Sequence, residues 1–462
     1  MLPRKSFVSP PSKASLLGKL GYATGMFGKW HLGGEGFGPR EQGFGQANPF
    51  PDNADPLSPA GGKNEFAIAD AACRFIEQHR ERPFFCYVAH HSPHIRLAST
   101  PALIARYADA FHPIYAGMIE TLDESVGRLL SKIDALGLKE NTIVIFTSDN
   151  GGLHVLESPG TPATHNTPFR AGKGYLYEGG VRVPLIVRMP GWTKPGAVDN
   201  RPASLIDLVP TIVAAAGGST DKLVGPLDGK ATLFDDDRLV PTLYWHFPHY
   251  TNQGGRPAAA IRQQQWKLVE QLEDNGIELF DLSTDPSEAK NLADQFPDQV
   301  RALAGELHQW QKSVGADMPT TNNPWDESLH RSLYVDVDSS KLIPARFASL
   351  TEPAWKNWRK RMNAAVQGAR SKVTPATGDI RLFARDARIQ AKRMRYEAEP
   401  FKNVLGYWTE RTDWAAWDFS VSLPGRYEVE VQVGCGAGIG GSMLLINVAG
   451  QSLEWTVIET GH

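Results

Sequence analysis

The sequence predicts an α/β fold: a mainly parallel sheet flanked by helices, then a small antiparallel C-terminal subdomain, then a separate β-sandwich. Three observations predict it. Four short apolar runs, at 23–27, 84–89, 143–147 and 185–189, alternate with helical patterns through the first half. After about Thr242, four strand-like runs follow one another with no helix between them. From about residue 380 the chain becomes strand-rich and aromatic.

The elements follow in order. Residues 13–20 suit a short helix with Ser12 as its N-cap. The run 23–27 reads as a strand that ends in a glycine turn and presents Lys29 and His31. Residues two apart on extended chain point the same way, so the two leave the backbone together. A helix over 68–78 carries Ala69, Ala72, Phe75 and Ile76 on one side. Ile114, Met118, Leu122, Val126, Leu129, Ile133 and Leu136 mark a long amphipathic helix that Gly137 stops. Strands alternating with helices imply a parallel sheet with ligands at the carboxyl ends of its strands. Polar motifs fall there: Lys29 and His31 after the first strand, His90 to His94 after the second, Asp149 and Asn150 after the third.

Residues 1–240 are therefore expected to form an α/β core and 241–316 an antiparallel subdomain. In the latter, Asp274-Asn275-Gly276 signals a tight turn, and a helix over 297–314 closes the unit. Residues 317–379 read as a linker with one basic helix. Residues 380–462 read as a β-sandwich, in which Arg426 to Val433 alternates strictly.

Composition narrows the function. Hydrophobic content of 41% suits a globular chain, and 462 residues call for two or three domains. A net charge of −3 argues against a nucleic-acid surface, so any basic site must be local. Cys73, Cys86 and Cys435 are too few for a disulfide scaffold. No apolar run is long enough to cross a membrane. Met1 to Lys5 is not followed by the apolar core of a signal peptide, which at face value reads as cytoplasmic.

The run Gly21 to Gly33, with Lys29-Trp30-His31 at its centre, resembles a signature of the type I sulfatases (arylsulfatase-like), in the alkaline phosphatase superfamily. Ser148-Asp149-Asn150-Gly151-Gly152 resembles their metal motif. Ala171-Gly172-Lys173-Gly174 through Tyr177-Glu178-Gly179-Gly180-Val181-Arg182-Val183-Pro184 resembles their second lysine segment. The resemblance covers roughly the first 310 residues. It implies hydrolysis of a sulfate ester, of a small molecule or a sulfated carbohydrate, in the periplasm or outside the cell. A sulfate ester needs cations on its oxygens and an acid for the leaving oxygen. Lys29 and Lys173 are the expected oxygen clamps. His31 and His94 are the expected proton carriers, with His94 the leaving-group acid by resemblance.

Asp149 and Asn150 are hard oxygen ligands that suit Ca2+, with Mg2+ possible. The resemblance implies two further aspartates from a first strand, and no Asp-Asp pair precedes Gly21. It also implies a formylglycine made from Cys or Ser in a Cys/Ser-x-Pro-x-Arg motif. None of the three cysteines stands in one. Near the N-terminus, Ser9-Pro10-Pro11-Ser12-Lys13 has lysine in place of arginine and reads better as a proline turn with a helix cap. Three readings thus stay open: a sulfatase, a phosphodiester or phosphonate hydrolase of the same superfamily, and a non-catalytic fragment or glycan-binding pseudoenzyme. The aromatics of the last segment, among them Trp408, Trp414 and Trp417, suit either a sandwich core or stacking on a polysaccharide.

Overall fold

The computed structural model describes residues 13–458, apart from 34–35, 53, 158–159, 220–226, 232, 234–239, 320–326, 337, 371–379, 381, 398–403, 420–428, 436–439 and 449. Ser9 and Ser12 lie outside the described residues.

Helix α1 (Lys13–Lys19) leads into strand β1 (Ala23–Gly28). Strand β2 (Gln46–Pro49), helix α2 (Glu65–Gln78) and strand β3 (Phe84–Ala89) follow. These strands form a parallel sheet in the order β2-β1-β3, with Ala23 opposite Phe84 and Gly28 opposite Ala89. The sequence gives little sign of β2, whose polar Gln-Ala-Asn-Pro carries no apolar alternation. Helices α3 (Pro101–Arg106) and α4 (Pro113–Ala135) come next, and α4 packs on α2. Phe27, Ile68, Ala72, Phe75, Ile76 and Ile133 form the core between sheet and helices. Each such large side chain contributes about 1.5–3 kcal/mol on burial.

Strands β4 (Val144–Thr147) and β5 (Leu185–Arg188) pair antiparallel with each other. This differs from the parallel arrangement expected of them. The chain between them carries only a four-residue helix, α5 (Glu178–Val181), so it returns without a helical crossover. Helix α6 (Leu208–Ala215) packs against α1.

Strands β6 (Leu243–Phe247), β7 (Ala258–Gln263), β8 (Trp266–Gln271) and β9 (Gly276–Asp281) form an antiparallel meander. Asn275 takes the positive φ of 57° that its turn requires. Leu303 and Leu307 of α7 (Pro297–Val314) cover one face of the meander, packing on Ile261, Leu268 and Leu279. The other face packs on Ala171 and Tyr177.

Helices α8 (Glu327–His330) and α9 (Ala348–Arg370) correct the reading of a linker. Trp355, Trp358 and Met362 of α9 are buried with Val155 and Leu333, and the Arg359 guanidinium donates to the carbonyls of Leu156 and Asn252. Apolar side chains on one face of that basic helix decide its place.

The last segment is strand-rich as expected. Its described strands pair as antiparallel ribbons, β10 (Arg388–Gln390) with β13 (Trp414–Ala416), β11 (Arg395–Glu397) with β12 (Val404–Gly406), and β14 (Met443–Val448) with β15 (Gln451–Thr456). Among the described residues no ladder joins these ribbons into a sandwich. Residues 429–433 of the alternating run carry no strand, and 426–428 lie outside the described residues.

Candidate active site

The site is built where β1 and β3 end. Gly28 closes β1 with φ of 109°, and a Cβ there would lie 2.0 Å from the Ala89 carbonyl oxygen. Only glycine lets the strands meet so closely. The Lys29 backbone N–H then donates to that oxygen at 2.7 Å. Lys29 is thereby fixed beside the His90–His94 loop that leaves β3. His31, two residues on, is exposed and has no side-chain hydrogen bond among the described residues.

The His90–His94 loop rests on buried polar groups. His90 pairs through Nε2 with the Ser125 hydroxyl at 2.8 Å, and that hydroxyl donates to the Glu65 carbonyl. His91 donates from Nε2 to the Phe50 carbonyl at 2.9 Å. The Ser92 hydroxyl donates to the Glu65 carboxylate. Burial, then the neighbouring His91, push His90 down to about 4, so it stands as a neutral support.

His94 is the only one of these histidines to face a lysine head group directly among the described residues. Its Nδ1 lies 2.5 Å from the Ile95 carbonyl oxygen and its Nε2 lies 3.4 Å from Lys173 Nζ. A carbonyl only accepts, so Nδ1 carries the proton and Nε2 accepts from the lysine. Burial lowers the pKa of His94; the Ile95 carbonyl partly opposes this, and Lys173, Lys29 and Lys63 lower it further. The ammonium groups of Lys173 and Lys29 near one neutral imidazole make a local site for an anion on a chain of net negative charge.

Lys173 is held from both sides. Its backbone N–H donates to the Gly152 carbonyl at 3.2 Å, and Gly151 donates to Gly180 at 2.9 Å. A Cβ on Gly151 would lie 1.8 Å from the Gly179 oxygen. The Asp149-Asn150 turn and the lysine loop are thus one packed unit. Arg170, before Lys173, is buried against Glu278, Asp338 and the face of Tyr177. Glu178, after it, pairs with Lys267 at 2.9 Å, and Lys267 reaches Glu288 at the same distance. Burial opposes the Glu178 carboxylate, but Lys267, Arg262 and Arg182 outweigh it and hold its pKa low. Burial pushes the Glu288 carboxyl up.

Asp149 is exposed, with no hydrogen bond or ion pair among the described residues, and its charge raises the pKa of Tyr87 on β3 as a lesser cause after burial. The Asn150 amide nitrogen donates to the Gly151 carbonyl at 2.8 Å, which leaves its Oδ1 free to ligate. Together they offer a cation two side chains with at most three oxygens, against the roughly six to eight that calcium takes. Among the described residues no group of three or more His, Cys, Asp or Glu could hold a metal ion. These two residues alone do not make a calcium site.

The cysteines lie away from this cluster. Cys73 and Cys86 pack about the core of β1, α2 and β3, and burial raises both thiols. A protonated core thiol is a poor nucleophile.

Sequence reasoning missed Lys63, Glu65, Asp52 and Ser125, which hold the histidine loop. The only signal was two charges beside Gly61-Gly62 at the start of a helix, a pattern common on surfaces. It also missed His154, buried between the rings of Tyr175 and Trp355.

The fold sets a cation-lined imidazole at the carboxyl edge of a parallel sheet. Residues 8–219 match the Sulfatase family model, and 171–313 match the model of the N-sulphoglucosamine sulphohydrolase C-terminal region. Together the two matches make residues 8–313 similar to the sulfatases. It is 35% identical over 313 residues to a sulfatase of Formosa agariphila, covering 60% of this chain and 54% of that protein. It is 34% identical to human arylsulfatase A over 298 residues, 55% of this chain and 57% of that one. It is 30% identical to the N-acetylgalactosamine-6-O-sulfatase of Bacteroides thetaiotaomicron over 269 residues, 51% of this chain and 49% of that one. The chain spans about half the length of these curated relatives. Among solved structures it resembles Ps i-CgsB in complex with k-i-k-neocarrahexaose, with a TM-score of 0.58 over 71% of this chain and 80% of that one. At 24% identity that likeness speaks for the fold.

Proposed function

We propose that the protein hydrolyses sulfate esters of carbohydrates. The observation that carries this reading is the convergence of Lys29 and Lys173 on His94. A sulfate group seated there has two ammonium groups for its non-bridging oxygens. The S–O bond to the sugar breaks as a nucleophile attacks sulfur, and the departing sugar oxygen takes a proton from the Nε2 side of His94. In the empty site that nitrogen holds no proton. The docking anion offsets the lysine charges and favours the imidazolium, which can then donate. His31 is a second proton carrier at the rim. The nucleophile in this reading is a formylglycine hydrate, and none of the three cysteines stands in the motif that yields one. Bound Ca2+ or Mg2+ would supply positive charge to the sulfate, with Asp149 and Asn150 giving two of its oxygens.

The N-acetylgalactosamine-6-O-sulfatase among the relatives supports a glycan substrate. A polymer does not cross a membrane, so we place the protein in the periplasm or outside the cell. Tyr407, Trp408 and Trp414 of the last segment are exposed, which favours sugar stacking over core filling. The Trp417 indole, half-buried, donates to the Phe383 carbonyl and suits a structural role. Retention on a polysaccharide column that falls when Trp408 and Trp414 are changed to alanine tests that contact.

The test of the main reading is calorimetric titration with a sulfated monosaccharide and its unsulfated parent. Binding should depend on the sulfate and fall at least about tenfold in Lys173→Ala, the scale of one charge-assisted contact. Equal affinity for both sugars would contradict it.

A further inference from the structure

The ammonium of Lys63 is fully buried, yet it is not one of the groups that face the anion site. Its three N–H donors are spent. One goes to the His94 carbonyl at 2.8 Å, one to the Ile95 carbonyl at 3.1 Å and one to Asp52 at 2.8 Å. A second bracket lies beneath. The Lys63 backbone N–H donates to Glu65 at 2.8 Å, and the same buried carboxylate takes the Ser92 hydroxyl. Asp52 stands 3.8 Å from His91 as well. The histidine loop is therefore clamped at Ser92, His94 and Ile95 by one short stretch at the start of α2.

The Ile95 oxygen receives both the Lys63 ammonium and His94 Nδ1. Lys63 thus fixes the carbonyl that fixes the proton on the imidazole. We propose that Lys63 is a positioning residue that sets the tautomer of His94, holding Nδ1 protonated and turning Nε2 toward Lys173 and the substrate. This rests on reading His94 as the proton carrier. The charged groups around His94 are Lys173, Lys29 and Lys63, and those around Lys63 are Asp52 and, if protonated, His91. Burying a lysine costs several kcal/mol unless it is fully paired. A surface cation would serve bulk electrostatics more cheaply, so its depth points to a positional task.

The test uses the full chain labelled with 15N-histidine, the His94 signal being assigned by its loss in His94→Gln. Nitrogen shifts distinguish the two neutral tautomers. The wild type should show the Nδ1–H form. Lys63→Met should move a large part of the population to Nε2–H. Lys63→Gln keeps N–H donors for the carbonyls without the charge, and should retain the wild-type tautomer. In turnover of a sulfated sugar, Lys63→Met should lose about tenfold in kcat with little change in KM, the pattern of a misplaced proton donor. An Nδ1–H tautomer unchanged in Lys63→Met overturns the proposal, as does an equal tautomer change in Lys63→Gln, which would assign the effect to charge. If Lys63→Met does not fold, Asp52→Asn decides: a partial shift toward Nε2–H supports the proposal and no shift overturns it. Failure of the wild type to bind sulfated sugar would sink the functional reading, and the tautomer result is read independently of it.

Discussion

The two sides of the candidate site are built differently. The histidine side is braced by the buried ions Lys63 and Glu65, with the Ser125 hydroxyl, under the loop that carries His94. The Asp149-Asn150 side is braced without buried charge, by Gly151 against Gly179 and Gly180 and by the neutral side chains of Ser148 and Asn166 on the Asn150 and Gly152 backbone. The first arrangement fixes a ring and its proton, as general acid chemistry requires. The second fixes a turn and leaves its carboxylate exposed, which suits an oxygen donor awaiting a cation. Proton transfer demands a defined angle, whereas a cation accepts ligands over a broader geometry.

Changing Gly28 to alanine should have the largest effect. The added Cβ meets the Ala89 oxygen at 2.0 Å in a backbone conformation foreign to alanine. It should cost at least about 3 kcal/mol, read as a large drop in thermal midpoint, and it should displace Lys29. An unchanged midpoint would break the claim that this contact sets the histidine side.

Acid should damage both sides through their neutral histidines. Burial pushes His154 down to about 3, and its ring nitrogens have no hydrogen-bond partner among the described residues. His90 lies at about 4. The unfolded chain binds these protons near pH 6.5 and the folded chain resists, so their stability is full above about pH 6.5 and falls as pH drops toward 3. His154→Phe should flatten the loss of thermal midpoint over that window. A variant as acid-sensitive as the wild type would show that His154 is not a source.

With the imidazolium as the proposed donor, turnover should fall as pH rises through the lowered pKa of His94 in the free protein. The pH profile of kcat/KM checks this, and a rise through the same window would assign His94 a base's role. The smallest effect is expected from Asp149→Ala. Without calcium it should shift the thermal midpoint by no more than a degree or two, on the scale of about 0.5 kcal/mol for an exposed side chain. Any calcium-induced stabilisation of the wild type should shrink in the variant. A large calcium-free loss would mean that the turn depends on the carboxylate after all.

Much of this was legible in the sequence. Apolar runs gave β1, β3 and the four strands of the antiparallel meander, because their alternation and bounding turns are local signals. The spacing of Lys29, His94 and Lys173 after strands and loops pointed to one sheet edge. What stayed hidden was long-range. Strand β2 has a polar sequence and exists by pairing with β1. The antiparallel return of β5 depends on the absence of a crossover helix. Residues 355–368 read as a basic helix in a linker, yet Trp355 and Trp358 bury it against Val155. Lys63 shows no sign in the sequence that it is buried, since its partners lie 31 and 32 residues away at His94 and Ile95.

The most direct measurement is a crystal structure of the protein with a sulfated monosaccharide bound. The account predicts the sulfate between the ammonium groups of Lys29 and Lys173, with the ester oxygen facing His94 Nε2. A sulfate seated elsewhere, with His94 and Lys173 still paired to each other, would contradict it.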